Sequence, residues 1–281
     1  MSVVSIVGRS TRVPFVESGA TPPARSETPT RPWSVRGTDV PDTDVCRSHL
    51  ARIARAIDQL YLVYQPIVSW STRQIVGLEA LCRTSEPGLT TADSLLDEAE
   101  STGQVWELGR AIRSQVADLL RHLPSRRALL FVNLHADELA DPELCDRHGL
   151  LARWSHRVVF EITERRRLAD PTWAAARTDQ LRQLGYSIAL DDLGSGYSSL
   201  GCMAALAPDV VKLDRSLITG IDADPIKQMM VEALVELAAR MGVRPIAEGV
   251  ETDAELDALV ACGCDLMQGY LFGRPHRSPS V

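Results

Sequence analysis

The chain has 281 residues, of which 45% are hydrophobic and 24% charged. This composition is ordinary for a soluble globular protein, and the length permits one closed strand–helix barrel of about 250 residues. The formal net charge of −7 argues against the broad Lys- and Arg-rich surface that tracks a DNA or RNA polymer. A small nucleotide ligand remains compatible with this charge, because bound cations can supply local positive charge.

The six cysteines are scattered and form no CxxC pair. We therefore expect reduced thiols in a cytoplasmic protein rather than a zinc site or a disulfide framework. No stretch of sequence approaches the ~20 apolar residues of a membrane span, so no membrane association is expected.

Residues 1–44 are rich in Pro, Ser, Thr and Arg and poor in apolar side chains. Such a composition buries too little apolar surface to offset the entropy of ordering, so it predicts a disordered tail. The alternative is a docking segment for a sensor or regulatory protein, with Trp33 as its candidate anchor. The folded domain is accordingly predicted over residues 45–281.

Eight short apolar runs follow the tail, and segments with helical apolar spacing, such as 94–123 and 227–241, lie between most of them. This alternation predicts a (β/α)8 barrel with helices outside. The first two runs are joined only by residues 69–74, too few for a crossover helix, so the barrel should begin with an antiparallel strand. The runs span residues 62–67, 75–81, 129–134, 158–162, 188–190, 210–213, 245–247 and 266–271.

Polar side chains stand near the ends of seven of these runs. They are Glu79, Asn133, Glu161, Asp191, Asp192, Lys212, Glu248 and Gln268. A single acid at a strand end is more often a solvated loop residue or a helix cap. In a (β/α)8 barrel, however, these ends converge on one mouth, where such enzymes keep their active sites.

The carboxylate and amide oxygens of this set suit hard Mg²⁺ or Mn²⁺ rather than structural zinc. The adjacent acids Asp191 and Asp192 could serve two ions, which clamp the attacking and leaving oxygens of a phosphoryl displacement. The pattern therefore predicts a metal-assisted hydrolase of a phosphate ester. The glycine- and serine-rich segment 192–200 that follows could approach a ligand, although its GxG pattern alone is weak evidence of phosphate binding.

At these residues the sequence resembles the EAL domain family over about residues 48–276. The Glu-x-Leu-x-Arg motif stands here at residues 79–83, and residues 64–68 before it resemble the family's first strand. Further motifs follow in the family's order at residues 132–134, 161–164, 191–200, 212–216, 247–252 and 268–275. The resemblance implies a barrel that hydrolyses cyclic di-GMP to linear pGpG with two Mg²⁺ or Mn²⁺ ions.

The resemblance also implies a role for each matching residue. Glu79, Lys212 and Glu248 would be catalytic. One ion would be held by Glu79, Asn133, Glu161 and Asp191, and the other by Asp191, Asp192 and Glu248. Arg83 would bind a phosphate, and the ligand would also contact Gln65, Leu81, Asp214, Glu251 and Gln268. Glu164 would brace the loop that begins at Asp192.

Several positions depart from the family pattern. His135 stands where the family commonly has serine, and we interpret it as structural rather than as a metal ligand. Thr84 replaces an aromatic residue, and Leu193 and Ser195 replace a Phe and a Thr of the glycine loop. These changes touch the ligand rim and the loop, not the predicted metal ligands.

Two other functions stay open at this point. A non-catalytic cyclic di-GMP receptor usually lacks some metal ligands, whereas none is missing here. A regulatory interaction module could act through residues 1–44 or the outer face of the barrel. The resemblance also implies a possible homodimer, whose surface the sequence does not locate.

Overall fold

The computed structural model describes residues 43–123, 128–163, 171–194 and 199–278. The predicted disordered tail up to residue 42, Glu164 and residues 195–198 of the glycine loop lie outside the described residues. The expectations for them stay predictions.

Eight strands form a closed barrel in chain order. The first strand is antiparallel to both of its neighbours, the second and the eighth, and the remaining neighbours pair in parallel. The predicted (β/α)8 barrel with an antiparallel first strand is therefore confirmed. The strands are β1 Tyr61–Ser69, β2 Gln74–Arg83, β3 Leu129–Leu134, β4 Val158–Thr163, β5 Ser187–Leu193, β6 Val210–Leu213, β7 Arg244–Ala247 and β8 Leu266–Gln268.

The helices are α1 Thr43–Asp58, α2 Ala92–Thr102, α3 Val105–His122, α4 Pro171–Gln183, α5 Ser199–Leu206, α6 Arg215–Ile218, α7 Pro225–Met241 and α8 Asp253–Ala261. The helical segment predicted over 94–123 is two helices, because Gly103 adopts φ +69 and its N–H caps the carbonyls of Ala99 and Glu100. Helix α1 precedes the first strand, where the sequence analysis predicts no helix. In the part of the chain described here, no helix is both long and apolar enough to cross a bilayer.

Two apolar layers hold the barrel together. The larger one lies between the strands and the surrounding helices, and the smaller one fills the barrel interior. The interior layer consists of Ile67, Phe131, Val159, Ala189, Val210 and Ile246. Gly77 leaves the space that the Phe131 ring occupies, since a Cβ there would lie 2.7 Å from Phe131 Cε2.

Strand periodicity then determines what lies above the interior layer. Side chains two residues apart on a strand point to the same face. Two residues beyond Phe131, Val159 and Ala189 stand Asn133, Glu161 and Asp191, and two beyond Val210 and Ile246 stand Lys212 and Glu248. The apolar floor therefore lies directly below a polar ring at the carboxyl ends of the strands.

The first and last strands meet through Asp265, which directly precedes β8. Its carboxylate accepts hydrogen bonds from Ser69 Oγ at 2.9 Å and from the Ser71 N–H at 2.7 Å. Its carbonyl accepts from the Trp70 N–H. One residue thus ties the turn of the β1–β2 hairpin to the edge of β8, where the barrel closes with only three residue pairs between β1 and β8.

Replacing Asp265 should weaken this closure in a pH-dependent way. Partial burial opposes the charge of Asp265, but hydrogen bonds from Ser71 and Ser69 outweigh it and hold the carboxyl pKa below its usual value. A lowered folded-state pKa stabilises the fold above the unfolded pKa of about 3.9, and this stabilisation is lost as the pH falls through the folded value. Asp265→Asn should therefore cost about 1 kcal/mol at pH 7 and less near pH 3, measured by urea unfolding.

Asp257→Asn provides the control, because Asp257 is an exposed carboxylate on α8. It should leave the free energy of unfolding nearly unchanged at both pH values. A deficit for Asp265→Asn that is equal at pH 7 and pH 3 would contradict a role for the ionised carboxylate.

Candidate active site

The polar ring above the barrel floor is centred on Lys212. This side chain is only 1% exposed, and its ammonium lies close to four carboxylates from four other strands or strand ends. The Nζ–oxygen distances are 2.6 Å to Glu248, 2.9 Å to Glu161, 3.3 Å to Asp191 and 3.4 Å to Glu79. The structure therefore brings these five predicted site residues together.

Burial and mutual repulsion set the protonation behaviour of this cluster. Burial opposes the charge of Lys212, but its four carboxylates, Asp191 foremost, outweigh that effect and hold its pKa well above the usual value. Burial raises the pKa of Glu161 well above its usual value despite the attraction of Lys212. Burial likewise raises the pKa of Glu248 to about 8, with Asp191 and Glu79 adding repulsion. One ammonium does not compensate four neighbouring carboxylates.

A chain of amides orients Glu79. Its Oε1 lies 3.4 Å from Asn133 Nδ2, and its Oε2 accepts from Gln268 Nε2. Gln268 Nε2 also donates to Gln65 Oε1 at 3.1 Å, and Gln65 Nε2 donates to the Gly273 carbonyl. Glu79 is thereby held at one side of the ring by side chains from β1, β3 and β8.

The second acid of the Asp191–Asp192 pair reaches the mouth through an irregularity in β5. Adjacent residues of a regular strand point to opposite faces, but here Asp192 has φ +58 and the pairing of β5 with β6 shifts register between Leu190 and Leu193. As a result, oxygens of Asp191, Asp192 and Glu248 lie within 4.8 Å of one another.

The oxygen-rich ring fits divalent cations. Among the described residues, neither carboxylate oxygen of Glu161 nor Oδ1 of Asp191 receives a hydrogen bond of good geometry, although Lys212 Nζ is near both residues. Buried carboxylate oxygens without donors are costly unless cations compensate them. All candidate ligands offer oxygen, which suits Mg²⁺ and Mn²⁺.

A cleft of about 210 Å³ opens above Glu79 and Glu248. Four of the six predicted ligand-contacting residues line it, namely Gln65, Leu81, Glu251 and Gln268. Arg83 and Asp214 make local contacts instead, since Arg83 Nη1 donates to the Cys82 carbonyl and the Asp214 carboxylate accepts from the Ser216 N–H. Their predicted contacts with the ligand stay predictions.

Two side chains of the cleft, Arg215 and Tyr270, have no role predicted from the sequence. They lie within the motifs at residues 212–216 and 268–275, and this membership was the available signal. His135, which the sequence analysis interprets as structural, makes local contacts. Its Nδ1 accepts from the Asp137 N–H, and its Nε2 lies 2.9 Å from Glu100 Oε1.

The closed barrel and its acidic mouth define a (β/α)8 protein with a site suited to divalent cations. A family model of the EAL domain matches residues 50–275, and the chain belongs to this family. It is 36% identical over 234 residues to the cyclic di-GMP phosphodiesterase NbdA of Pseudomonas aeruginosa, covering 78% of this chain and 29% of NbdA. The chain spans about a third of the length of the first curated relatives it matches.

Solved structures show the same similarity. The c-di-GMP complex of the PaMucR phosphodiesterase superimposes with a TM-score of 0.74 at 30% identity, covering 82% of this chain and 98% of that one. The manganese and cyclic di-GMP complex of Klebsiella pneumoniae BlrP1 gives a TM-score of 0.69 at 29% identity, covering 78% of this chain and 56% of that one.

Removing the Lys212 ammonium should destabilise the metal-free protein most at high pH. In Lys212→Met, Glu161 and Glu248 lose their attraction to the ammonium, so their raised pKa values should rise further. Carboxyls with raised folded-state pKa values destabilise the fold above the unfolded pKa of about 4.3, and the penalty grows as the pH approaches the folded values. With EDTA present, we expect a loss of roughly 3 kcal/mol at pH 8 and a smaller loss at pH 5 by urea unfolding.

The chain's other lysine supplies the matched control. Lys227 donates to the carbonyls of Ser216 and Thr219 rather than to carboxylates. Lys227→Met should cost the same at both pH values. A pH-independent loss for Lys212→Met would contradict the repulsion that we assign to the ring.

Proposed function

We propose that the protein hydrolyses cyclic di-GMP to linear pGpG with two divalent cations, Mg²⁺ or Mn²⁺. The observation that carries this proposal is the ring of four carboxylates around the buried Lys212 ammonium, beside a cleft lined by further polar side chains. A site of this charge binds a phosphodiester anion only when cations offset its acids. The similarity to a cyclic di-GMP phosphodiesterase and to solved cyclic di-GMP complexes supports cyclic di-GMP as the substrate.

The residues of the ring divide into two ligand sets. Glu79, Asn133, Glu161 and Asp191 would hold one ion, and Asp191, Asp192 and Glu248 the other. The three acids of the second set have oxygens within 4.8 Å of one another, which supports this division. When bound, the ions supply Lewis acidity that lowers the pKa of water and offsets phosphate charge.

The protein's own groups complete the chemistry. Lys212 Nζ stabilises negative charge that develops on the attacking and phosphoryl oxygens, because its donors are fixed before the substrate binds. Glu248, whose carboxylate lies 2.6 Å from Lys212 Nζ at the mouth, is placed to orient the attacking water and to take up the proton that it loses. Gln65 and Gln268, hydrogen-bonded to each other, orient Glu79 at the floor of the cleft.

Incubation with cyclic di-GMP and Mn²⁺, followed by chromatography of the products, tests this proposal. We expect conversion to pGpG that stops on addition of EDTA. Glu79→Gln and Lys212→Met should each lower kcat at least 100-fold, because each removes a group placed at the reacting centre.

The exposed carboxylate Glu236 on α7 gives the control substitution Glu236→Gln, which should retain full turnover. Tight binding of intact cyclic di-GMP over hours with Mn²⁺ would contradict hydrolysis and identify a receptor. Unchanged kcat in Glu79→Gln and Lys212→Met would contradict the assigned site.

A further inference from the structure

The cleft contains one cationic side chain among the described residues that line it. Glu79, Glu248 and Glu251 contribute three acids, and Arg215 is the cation. Arg215 lies at the rim, with its side chain 58% exposed, whereas Lys212 is buried below the cleft. No predicted role accounts for this arginine, which is the first residue of α6 and is separated from β6 by Asp214 alone.

Arg215 is held in place although it is exposed. Its Nη2 lies 2.8 Å from Glu251 Oε1, so the guanidinium is fixed at its charged end. Its aliphatic stem lies against Gly249, where an added Cβ would approach Arg215 Cγ, Cβ and Cδ to between 2.5 and 3.0 Å. Gly249 also has φ +73, so this position favours glycine for its backbone conformation as well.

The two loops that carry this ion pair are braced against each other. The buried Glu255 carboxylate accepts from the Gly220 N–H at 2.9 Å, the Glu251 N–H at 2.9 Å and the Thr252 N–H at 3.1 Å. On the other side, Asp214 caps the start of α6 through the Ser216 N–H. The guanidinium of Arg215 is therefore ordered before a ligand binds, and binding does not incur that entropic cost. N–H donors held in a fixed geometry can select between similar ligands.

We propose that Arg215, oriented by Glu251, is the residue that selects guanine over adenine at the rim of the cleft. Guanine presents two adjacent acceptors, O6 and N7, which match the planar donor fork of an arginine. Adenine keeps N7 but has an N6 amino group in place of O6, so one donor of the fork would face another donor. This inference rests on the proposed function, since it names the base that the cyclic dinucleotide places there.

The charge of the pair favours a base over a phosphate as the partner of Arg215. Glu251 neutralises much of the guanidinium charge and would repel a phosphate placed against the same group. The remaining N–H donors are still polarised and available to a neutral base edge. Arg215 therefore contributes hydrogen-bonding specificity, while the phosphates lie with the cations of the ring below.

Calorimetric binding of cyclic di-GMP and cyclic di-AMP in Ca²⁺ tests the inference, with chromatography to verify that the ligands stay intact. The wild type should prefer cyclic di-GMP. Arg215→Met should weaken binding of cyclic di-GMP about tenfold or more, and binding of cyclic di-AMP less than threefold, so the preference shrinks. Arg215→Lys, which keeps the charge but lacks the planar fork, should lose most of the preference as well.

The matched control is Arg121→Met. Arg121 forms an exposed ion pair with Asp118 on α3, outside the cleft, and the substitution removes that pair. It should leave both affinities unchanged. Equally weakened binding of both dinucleotides by Arg215→Met would assign Arg215 to the shared phosphates and overturn the inference. Unchanged affinities in Arg215→Met would also overturn it. So would a full preference for cyclic di-GMP in Arg215→Lys. A wild type that neither binds nor hydrolyses cyclic di-GMP would overturn the proposed function together with this inference.

Discussion

At the carboxyl ends of the barrel strands, the structure depends on the buried ammonium of Lys212, which carboxylates surround. Lys212 is almost fully excluded from water and lies within 3.4 Å of four acidic side chains. In a medium of low polarity, such a cluster persists only when opposite charges and donors compensate one another. The excess of negative charge makes the mouth of the barrel a place where divalent cations are stabilised, while Lys212 limits the repulsion in their absence.

The two-residue periodicity of the strands places these charged groups at the mouth of the barrel. Phe131, Val159, Ala189, Val210 and Ile246 fill the interior, and the next inward position on each of these strands is polar. The apolar layer is packed and rigid, so it fixes where the ring above it stands. On the same strands, the apolar layer therefore stabilises the fold, and the polar layer directly above it forms the functional site.

The sequence predicted the barrel, the antiparallel start and most of the ring, because apolar runs and their polar ends follow directly from strand periodicity. The runs at 129–134 and 210–213 coincide with β3 and β6. It could not predict the break between α2 and α3, which depends on the left-handed conformation of Gly103. Nor could it predict the contact of Arg215 with Glu251, because ion pairs between separate loops have no local pattern in the sequence.

The central claim is that oxygen ligands from separate strands hold divalent cations beside Lys212. Anomalous diffraction from crystals grown with Mn²⁺, measured at the manganese edge, tests it most directly. The account predicts two manganese peaks at the mouth, with Asp191 near both and Glu161 and Glu248 each near one. Crystals grown at saturating Mn²⁺ that show the four carboxylates around Lys212 and no manganese among them would contradict it.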